Sequence, residues 1–574
     1  MDNLLDKVTE RACRSVAIAA MILLSLSPAR GAGEGWKLDR AATMLDRGQK
    51  VTLNIKGDAP EGLKWVSDNG KVAKVSRKGV VKARRNGDAV ITAINEETGE
   101  SSSCLVSVGY EAQNPILPPT WDLFIADGEP HVFDGRMYIF GSRDYYDGLD
   151  RQGWSDWCGE NYHVIWSDDL VHWTDAGEAL DIKDIPLEVK GEGGRRLWAP
   201  DVFRDPVTGK YYMTACTNNS KVFILESDAP EGPYTNPRTI TKDGKPMVYG
   251  DPAVLVDDDG KVYIALPQFF VGQLDPEDYS KIIPETVREL NPWMPDDNDP
   301  IEGPSLRKVG DTYYYVYIQN HGKLARDGSY PARMAYLTSE DPLGPYEYQG
   351  LIVSNYDYPN AVNIHGGFEE FGGQWYIQYH KSVPGLRITR VPNLEPFGFE
   401  ADGRIPWMPM STSGVRGAFR PGDRVQAGGA VEYSTGREGG LIEENSIGRD
   451  GGIMMKIRGA ENDGFSTKRM TGYPYISFSE AGQWTGYRWF DLSLKARKLE
   501  ACVRSGDEGG IIEFRKGSPD GEVIATVEVP ATKGEWKTVK APAKVSGSAK
   551  ETVYAVAAKA PSGSPLELDY FTIK

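Results

Sequence analysis

Asp127, Glu129, Asp251, Glu302 and His365 each stand just ahead of a short aromatic-rich stretch. The segments are FIADGEPHVFDG, YGDPAVLVDDDG, DPIEGPSLRKVGDT and NIHGGFEEFGG. One Asp before a strand is ordinarily a turn former. Several carboxylates in a recurring position are a different matter. If they converge on one apolar, aromatic-lined pit, they meet the requirement for glycosidic bond cleavage: one protonates the leaving oxygen and another activates water or attacks carbon. A third can tune the acid's pKa by like-charge proximity.

The elements that must position them are marked by a repeat. GRMYIFGSRD from Gly135, GKYYMTACTN from Gly209, GKVYIALPQF from Gly260, GDTYYYVYIQ from Gly310 and GQWYIQYHK from Gly373 each open at a Gly turn and run as aromatic and β-branched residues. Recurrence at roughly 50 to 75 residues, with room for about four strands per period, is the pattern of a propeller blade. Five blades are expected, with these strands innermost and the acidic residues at their starts. Runs such as YYYVYI are expected to be buried on both faces between blades. WSDDLVHWTDAG, ESDAPEGPY and LTSEDPLGPYEY read as outer strands and their turns. The run Asp257–Asp259 before Gly260 reads as a hairpin turn, because it lacks the alternating spacing and closing Glu of a calcium loop.

The 64 Gly and 37 Pro indicate many turns and an all-β chain. A net charge of −17 without a long basic run excludes nucleic acid and anionic membrane as natural partners. Arg11 and Arg14, the apolar run VAIAAMILLSLS and then SPARGAG read as a signal peptide over residues 1–32. Export to the periplasm or beyond the cell follows, without membrane insertion. Cys104, Cys158, Cys216 and Cys502 lie far apart, with neither zinc nor disulfide-framework spacing, and are expected to be free thiols.

Residues 33–109 alternate short strands with Gly or Asn turns, as a small β-sandwich does. KWVSDNGKVAKVSRKGVVKARRNGDAVITA resembles the bacterial immunoglobulin-like group 2 domain. Residues 110–412 hold the five repeats. STSGVRGAFRPGD reads as the start of a linker, and residues 413–574 read as a jelly-roll β-sandwich. That last part resembles the family 6 carbohydrate-binding module through its aromatic entry strand, VEVPATKGEW and LELDYF. Its Trp484, Tyr487, Trp489 and Trp536 are read equally as sugar-stacking rings or as packing residues.

The repeat segment as a whole resembles glycoside hydrolase family 43, a five-bladed propeller acting with inversion. The resemblance implies Asp127 in ADGEPHVFDGRMYIF as base, Asp251 in GDPAVLVDDDGKVYI as the residue that shifts the acid's pKa, and Glu302 in IEGPSLRKVGDTYYY as general acid. It also implies Trp198 in LWAPDV as a sugar platform, Arg387 as a substrate-side residue, and His365 as an axial residue beside substrate and a bound calcium or water cluster. Many members carry D-P-S where this chain has D-G-E-P. Glu129 would share a face with Asp127 if the segment is extended, as a competing base or substrate contact. Inversion predicts carboxyl groups about 6.5 to 9.5 Å apart, against about 5 to 5.5 Å for retention.

The implied substrate is an α-L-arabinofuranosyl or β-D-xylosyl residue of plant polysaccharide or oligosaccharide, cleaved by a monomer that requires no cofactor. Trp154 and Trp157 are expected near the pocket wall. The alternatives are a galactofuranosidase or galactosidase, a retaining hydrolase, and a non-catalytic glycan-binding propeller.

Overall fold

The computed structural model describes residues 35–58, 60–121, 123–144, 158–290, 292, 300–320, 332–355, 363–383, 386–434, 454–457 and 474–574. The proposed signal segment and the loop bearing Trp154 and Trp157 lie outside the described residues. Among those described, no helix is long and apolar enough to cross a membrane. The chain divides into two compact units, the first holding the residues up to Tyr110 with Thr174–Gly177, and the second Glu111–Trp173 with Glu178–Lys574.

In the first unit, Ala42–Leu45, Ser101–Val108, Gly87–Ile94 and Lys64–Ser67 form one sheet, and Lys50–Thr52, Val80–Ala83 and Ala73–Val75 form another. Their inward residues, among them Ala73, Val81, Ile91, Cys104 and Val106, make one buried core.

The second unit opens with five antiparallel sheets. Blade one is Phe124–Phe133, Arg136–Asp144, Asn161–Ser167 and Trp173–Asp181, paired in that order. Blade two is Leu197–Arg204, Tyr211–Thr217, Val222–Ser227 and Thr235–Thr239. Blade three begins with Ala253–Val256, Val262–Leu266, Phe270–Asp275 and Asp278–Ile282. Blade four is Pro300–Val309, Thr312–Asn320, Ala332–Ser339 and Glu347–Ser354, and blade five is Phe368–Phe371, Gln374–Val383 and Leu386–Phe397. The chain before blade one closes the ring. The Ile116 N–H donates to Pro392 O at 3.0 Å, and Asn114 Oδ1 accepts from Leu394 N–H at 3.0 Å.

One expectation needs correcting. The aromatic strands that mark the repeat are second in each blade. The strands before them are the ones that touch around the axis: Phe124–Phe133 meets Leu197–Arg204 and Phe368–Phe371, and Ala253–Val256 meets Leu197–Arg204 and Pro300–Val309. The physical reason lies in burial. Second strands are covered on both faces by neighbouring blades and so read as continuous aromatic runs, whereas first strands border the polar axis.

Thr312–Asn320 shows the covering directly. Tyr314, Val316 and Ile318 pack with Phe368 and Ile377 of blade five, while Tyr313, Tyr315 and Tyr317 pack with Ala265 and Phe269 of blade three. The two-residue period of a strand sends alternate side chains to opposite faces, and here both faces are core. Asp257–Gly260 forms the expected hairpin turn, with Lys308 Nζ held by Asp257 at 2.6 Å and Asp258 at 2.8 Å.

The C-terminal sandwich is built of two sheets. One contains Met454–Ile457, Pro474–Phe478, Leu566–Ile573, Lys498–Arg504 and Lys537–Pro542, and the other Glu432–Tyr433, Trp484–Phe490, Glu551–Lys559, Gly510–Lys516 and Glu522–Val529. Tyr487 is fully buried, its ring 5.1 Å from that of Phe571, so it is a packing residue. The stretch expected as a linker is instead a buried joint. Ser411, Thr412 and Ser413 are buried, and the N–H groups of Thr412 and Ser413 donate to Arg488 O at 2.5 and 2.7 Å. Small polar residues read as linker in sequence, but here Ser411 Oγ donates to Glu395 at 2.6 Å, and Thr412 Oγ1 and Ser413 Oγ accept from the N–H groups of Arg488 and Trp489, both at 3.2 Å.

Candidate active site

Each carboxylate stands where an innermost strand departs from regular pairing. In blade one the register slips between Ala126 and Glu129, and Asp127 between them has φ of 50°. Asp251, just before Ala253–Val256, has φ of 29°. Around Glu302 the register shifts on both sides, from Pro300 and again before Ser305. Non-glycine residues with positive φ are uncommon and cluster at functional sites. Bulges re-aim a side chain that a regular strand would point elsewhere. Gly303 follows the acid at φ of 66°, and a Cβ there would lie 2.4 Å from Ile318 Cδ1 and 3.0 Å from the His365 ring. Only glycine fits this position.

Asp127 is buried and held on several sides. Arg390 NH1 donates to its Oδ1 at 2.6 Å, and His365 Nδ1 lies 3.5 Å from the same oxygen. The Cys158 thiol donates to Oδ2 at 3.4 Å, and the Asp127 N–H donates to His380 Nδ1 at 2.9 Å. Burial alone would push this carboxyl up, but Arg390, His365 and His380 outweigh it and hold it far below the usual carboxylate range. Asp127 is therefore an anion.

Glu302 has the opposite environment. Burial, and then the negative charges of Asp251 and Asp127, push it up to about 7. Asn363 Nδ2 donates to its Oε1 at 2.5 Å. Asp251 is buried and also raised, first by burial. The backbone N–H of Gly303, the residue after the acid, offsets part of that rise. The Asp251 N–H donates to Cys216 Sγ at 3.1 Å. Two carboxyls whose surroundings drive their pKa values apart are what acid and base assignments require.

The bulge breaks the alternation that would have aligned Glu129 with Asp127, and the His365 ring lies between them, Nδ1 3.5 Å from Asp127 Oδ1 and Nε2 4.0 Å from Glu129 Oε1. Glu129 Oε2 accepts from Arg307 NH2 and Ser305 Oγ, both at 2.9 Å. Arg307 also donates to the carbonyls of Pro130 at 2.7 Å and Phe368 at 2.8 Å. Trp198 sits half-buried at the matching irregularity of blade two, its ring packed on the core between blades two and three. Arg387 belongs to Leu386–Phe397, but its side chain lies outside the described residues.

His365 is buried and is raised to about 9, because contact with Asp127 outweighs the lowering effect of burial. Glu129, His131 and Asp201 lie close enough together to be considered as a cation site. Their oxygens do not fit calcium. Asp201 already accepts from His131 at 2.6 Å and from the N–H groups of Val202 and Val254, both at 2.7 Å. With Glu129 Oε2 engaged, Oε1 is the open carboxylate oxygen in that cluster. Calcium takes six to eight oxygen ligands.

Sequence reasoning missed Arg390, Cys158 and Asn363. Arg390 carries the clearest signal, as a charged residue within the strand LRITRV. Asn363 stands two before His365 in NIH. Nothing in the sequence marks Cys158.

Residues 113–405, more than half of the chain, match the family described as glycosyl hydrolases family 43. The chain belongs to that family. It is a glycoside hydrolase acting on O-glycosyl bonds. Residues 457–574 match the carbohydrate binding module (family 6), and residues 37–106 match the bacterial Ig-like domain (group 2).

Among relatives, a xylosidase/arabinosidase of Thermoclostridium stercorarium is 30% identical over 466 residues, 72% of this chain and 90% of that protein. An arabinoxylan arabinofuranohydrolase of Bacillus subtilis is 27% identical over 496 residues, 78% of this chain and 90% of that protein. A crystal structure of a family 43 arabinoxylan arabinofuranohydrolase from Bacillus subtilis, in complex with cellotetraose, aligns over 80% of this chain and 97% of its own. The identity is 24% and the TM-score 0.42.

Proposed function

We propose that this family 43 hydrolase releases α-L-arabinofuranosyl or β-D-xylosyl residues from plant polysaccharide or oligosaccharide by a single displacement with inversion. The observation that carries the mechanism is the opposed electrostatics of Glu302 and Asp127. Glu302 keeps its proton to about pH 7 and donates it to the glycosidic oxygen as the bond breaks. Asp127, held ionised by Arg390, takes a proton from water on the other face of the sugar. Asp251 keeps Glu302 protonated by its negative charge. Such a reaction needs no cofactor.

The names of the relatives support arabinose and xylose substrates, and the galactosidic alternatives draw less support from them. Arg11, Arg14 and the apolar run from Val16 support export.

The test is hydrolysis of nitrophenyl α-L-arabinofuranoside, β-D-xyloside, β-D-galactofuranoside and β-D-galactoside by wild type, Asp127→Asn and Glu302→Gln. Proton NMR of the first-formed anomer accompanies it. Arabinofuranoside or xyloside cleavage by wild type, inverted product and loss in Asp127→Asn are expected. Retained configuration would overturn the single displacement, and cleavage of galactosides alone would overturn the substrate class.

A further inference from the structure

The C-terminal sandwich reaches the strands that hold the base and its arginine. Phe124, three residues before Asp127, is 5% exposed and belongs to the sandwich's own core cluster, with Phe419, Tyr487, Leu568 and Phe571. Val391, next to Arg390, packs against the same cluster. Phe124 and Val391 lie on different blades. The two strands that bring Asp127 and Arg390 together are therefore seated in one core, and that core is built from residues beyond 418.

The joint around this seat is polar and closed. Asn114 Nδ2 donates to Glu395 Oε1 at 2.9 Å and to Ser411 O at 3.1 Å, and Ser411 N–H donates to Glu395 Oε1 at 2.8 Å. The Arg488 N–H donates to Thr412 Oγ1 at 3.2 Å. Gln426 N–H donates to Gln113 Oε1 at 3.0 Å, and Arg424 N–H donates to Glu111 Oε2 at 2.9 Å. Propeller and sandwich fall within one compact unit.

We propose that the C-terminal sandwich is a buttress for catalysis, with Phe124 and Val391 as positioning residues that hold Asp127 and Arg390 in register through its core. Whatever glycan the module binds, it is part of the frame of the active site. A strand end displaced by a fraction of an ångström moves the base relative to water and sugar, and misplacement of about 1 Å can cost about a hundredfold in rate. The inference rests on Asp127 as base, so its test separates the two readings.

Full-length Phe124→Ala, Phe124→Leu and Thr412→Val are compared with wild type and Asp127→Asn by kinetics and by hydrogen exchange followed by mass spectrometry. Phe124→Ala is expected to lower kcat about tenfold or more with KM nearly unchanged. Exchange is expected to rise in Phe124–Phe133 and Leu386–Phe397 but not in Leu197–Arg204 or Ala253–Val256. Phe124→Leu should restore most of kcat, and Thr412→Val should show a weaker form of the same pattern.

Unchanged exchange in the blade-one and blade-five strands would overturn the buttress, as would a uniform rise over all blades or an unaltered kcat. An active Asp127→Asn would overturn the base assignment instead, and the exchange result would still decide whether the sandwich holds those strands.

Discussion

Arg390 and Asp127 lie 263 residues apart in sequence and meet through a 2.6 Å bond from NH1 to Oδ1. The same guanidinium grips Asp144 with Nε at 2.9 Å and NH2 at 3.0 Å. Oδ2 of Asp127 faces the weaker thiol donor of Cys158. The proton from water is therefore expected on Oδ2, while Oδ1 stays fixed.

Arg390→Lys keeps the charge but loses the planar fork that serves two carboxylates at once. It is expected to lower kcat by about a hundredfold. Arg390→Met leaves two buried carboxylates uncompensated and is expected to cost about 3–5 kcal/mol of stability in urea unfolding. Equal midpoints for wild type and Arg390→Met would refute this.

The pH dependence follows from Glu302. The acid must be protonated to act, so kcat/KM is expected to fall as pH rises through about 7. Asp127 stays ionised far below that, which leaves a broad plateau on the acidic side. Asp251→Asn removes a negative neighbour that raises Glu302, so the alkaline limb should move to lower pH. A limb that stays in place would show that Asp251 does not tune the acid.

The same shift has a cost in stability. Glu302 is raised from 4.5 to about 7 on folding, so its contribution is fully present below about pH 4.5 and is lost as pH rises through 7. Glu302→Gln has no charge to bury. It is expected to melt at higher temperature than wild type near pH 8, with the gap closing towards pH 4. Calorimetry across that range is the check, and a gap independent of pH would contradict the linkage. Its activity should fall about 10²–10⁴-fold on oligosaccharides, and less on nitrophenyl glycosides whose leaving group needs little protonation.

Glu129 and Asp127 separate by consequence. Glu129→Gln keeps an acceptor for Ser305 and Arg307 but removes the charge that meets the guanidinium. It should cost about 1–3 kcal/mol in stability and leave kcat within about tenfold of wild type. Asp127→Asn should lose about 10²–10⁴-fold in kcat. The reverse ranking in parallel assays would make Glu129 the base.

The sequence by itself determined the number of blades and the frame of the site. Gly turns followed by aromatic runs recur because every second strand is core on both faces, and burial of that kind is written locally. The carboxylates of Asp127, Asp251 and Glu302 were legible because each stands at a fixed distance before such a run. The tertiary structure alone decided which strand lines the axis, which oxygen of Asp127 is gripped, and that the bulge turns Glu129 towards Arg307. It also decided that the start of STSGVRGAFRPGD, polar and glycine-rich like a linker, is buried at Ser411–Gly414 in the joint between ring and sandwich. Register slips and pairings such as Arg390 with Asp127 depend on chain segments hundreds of residues apart. Local propensity does not encode them, and they exist only once the ring has closed.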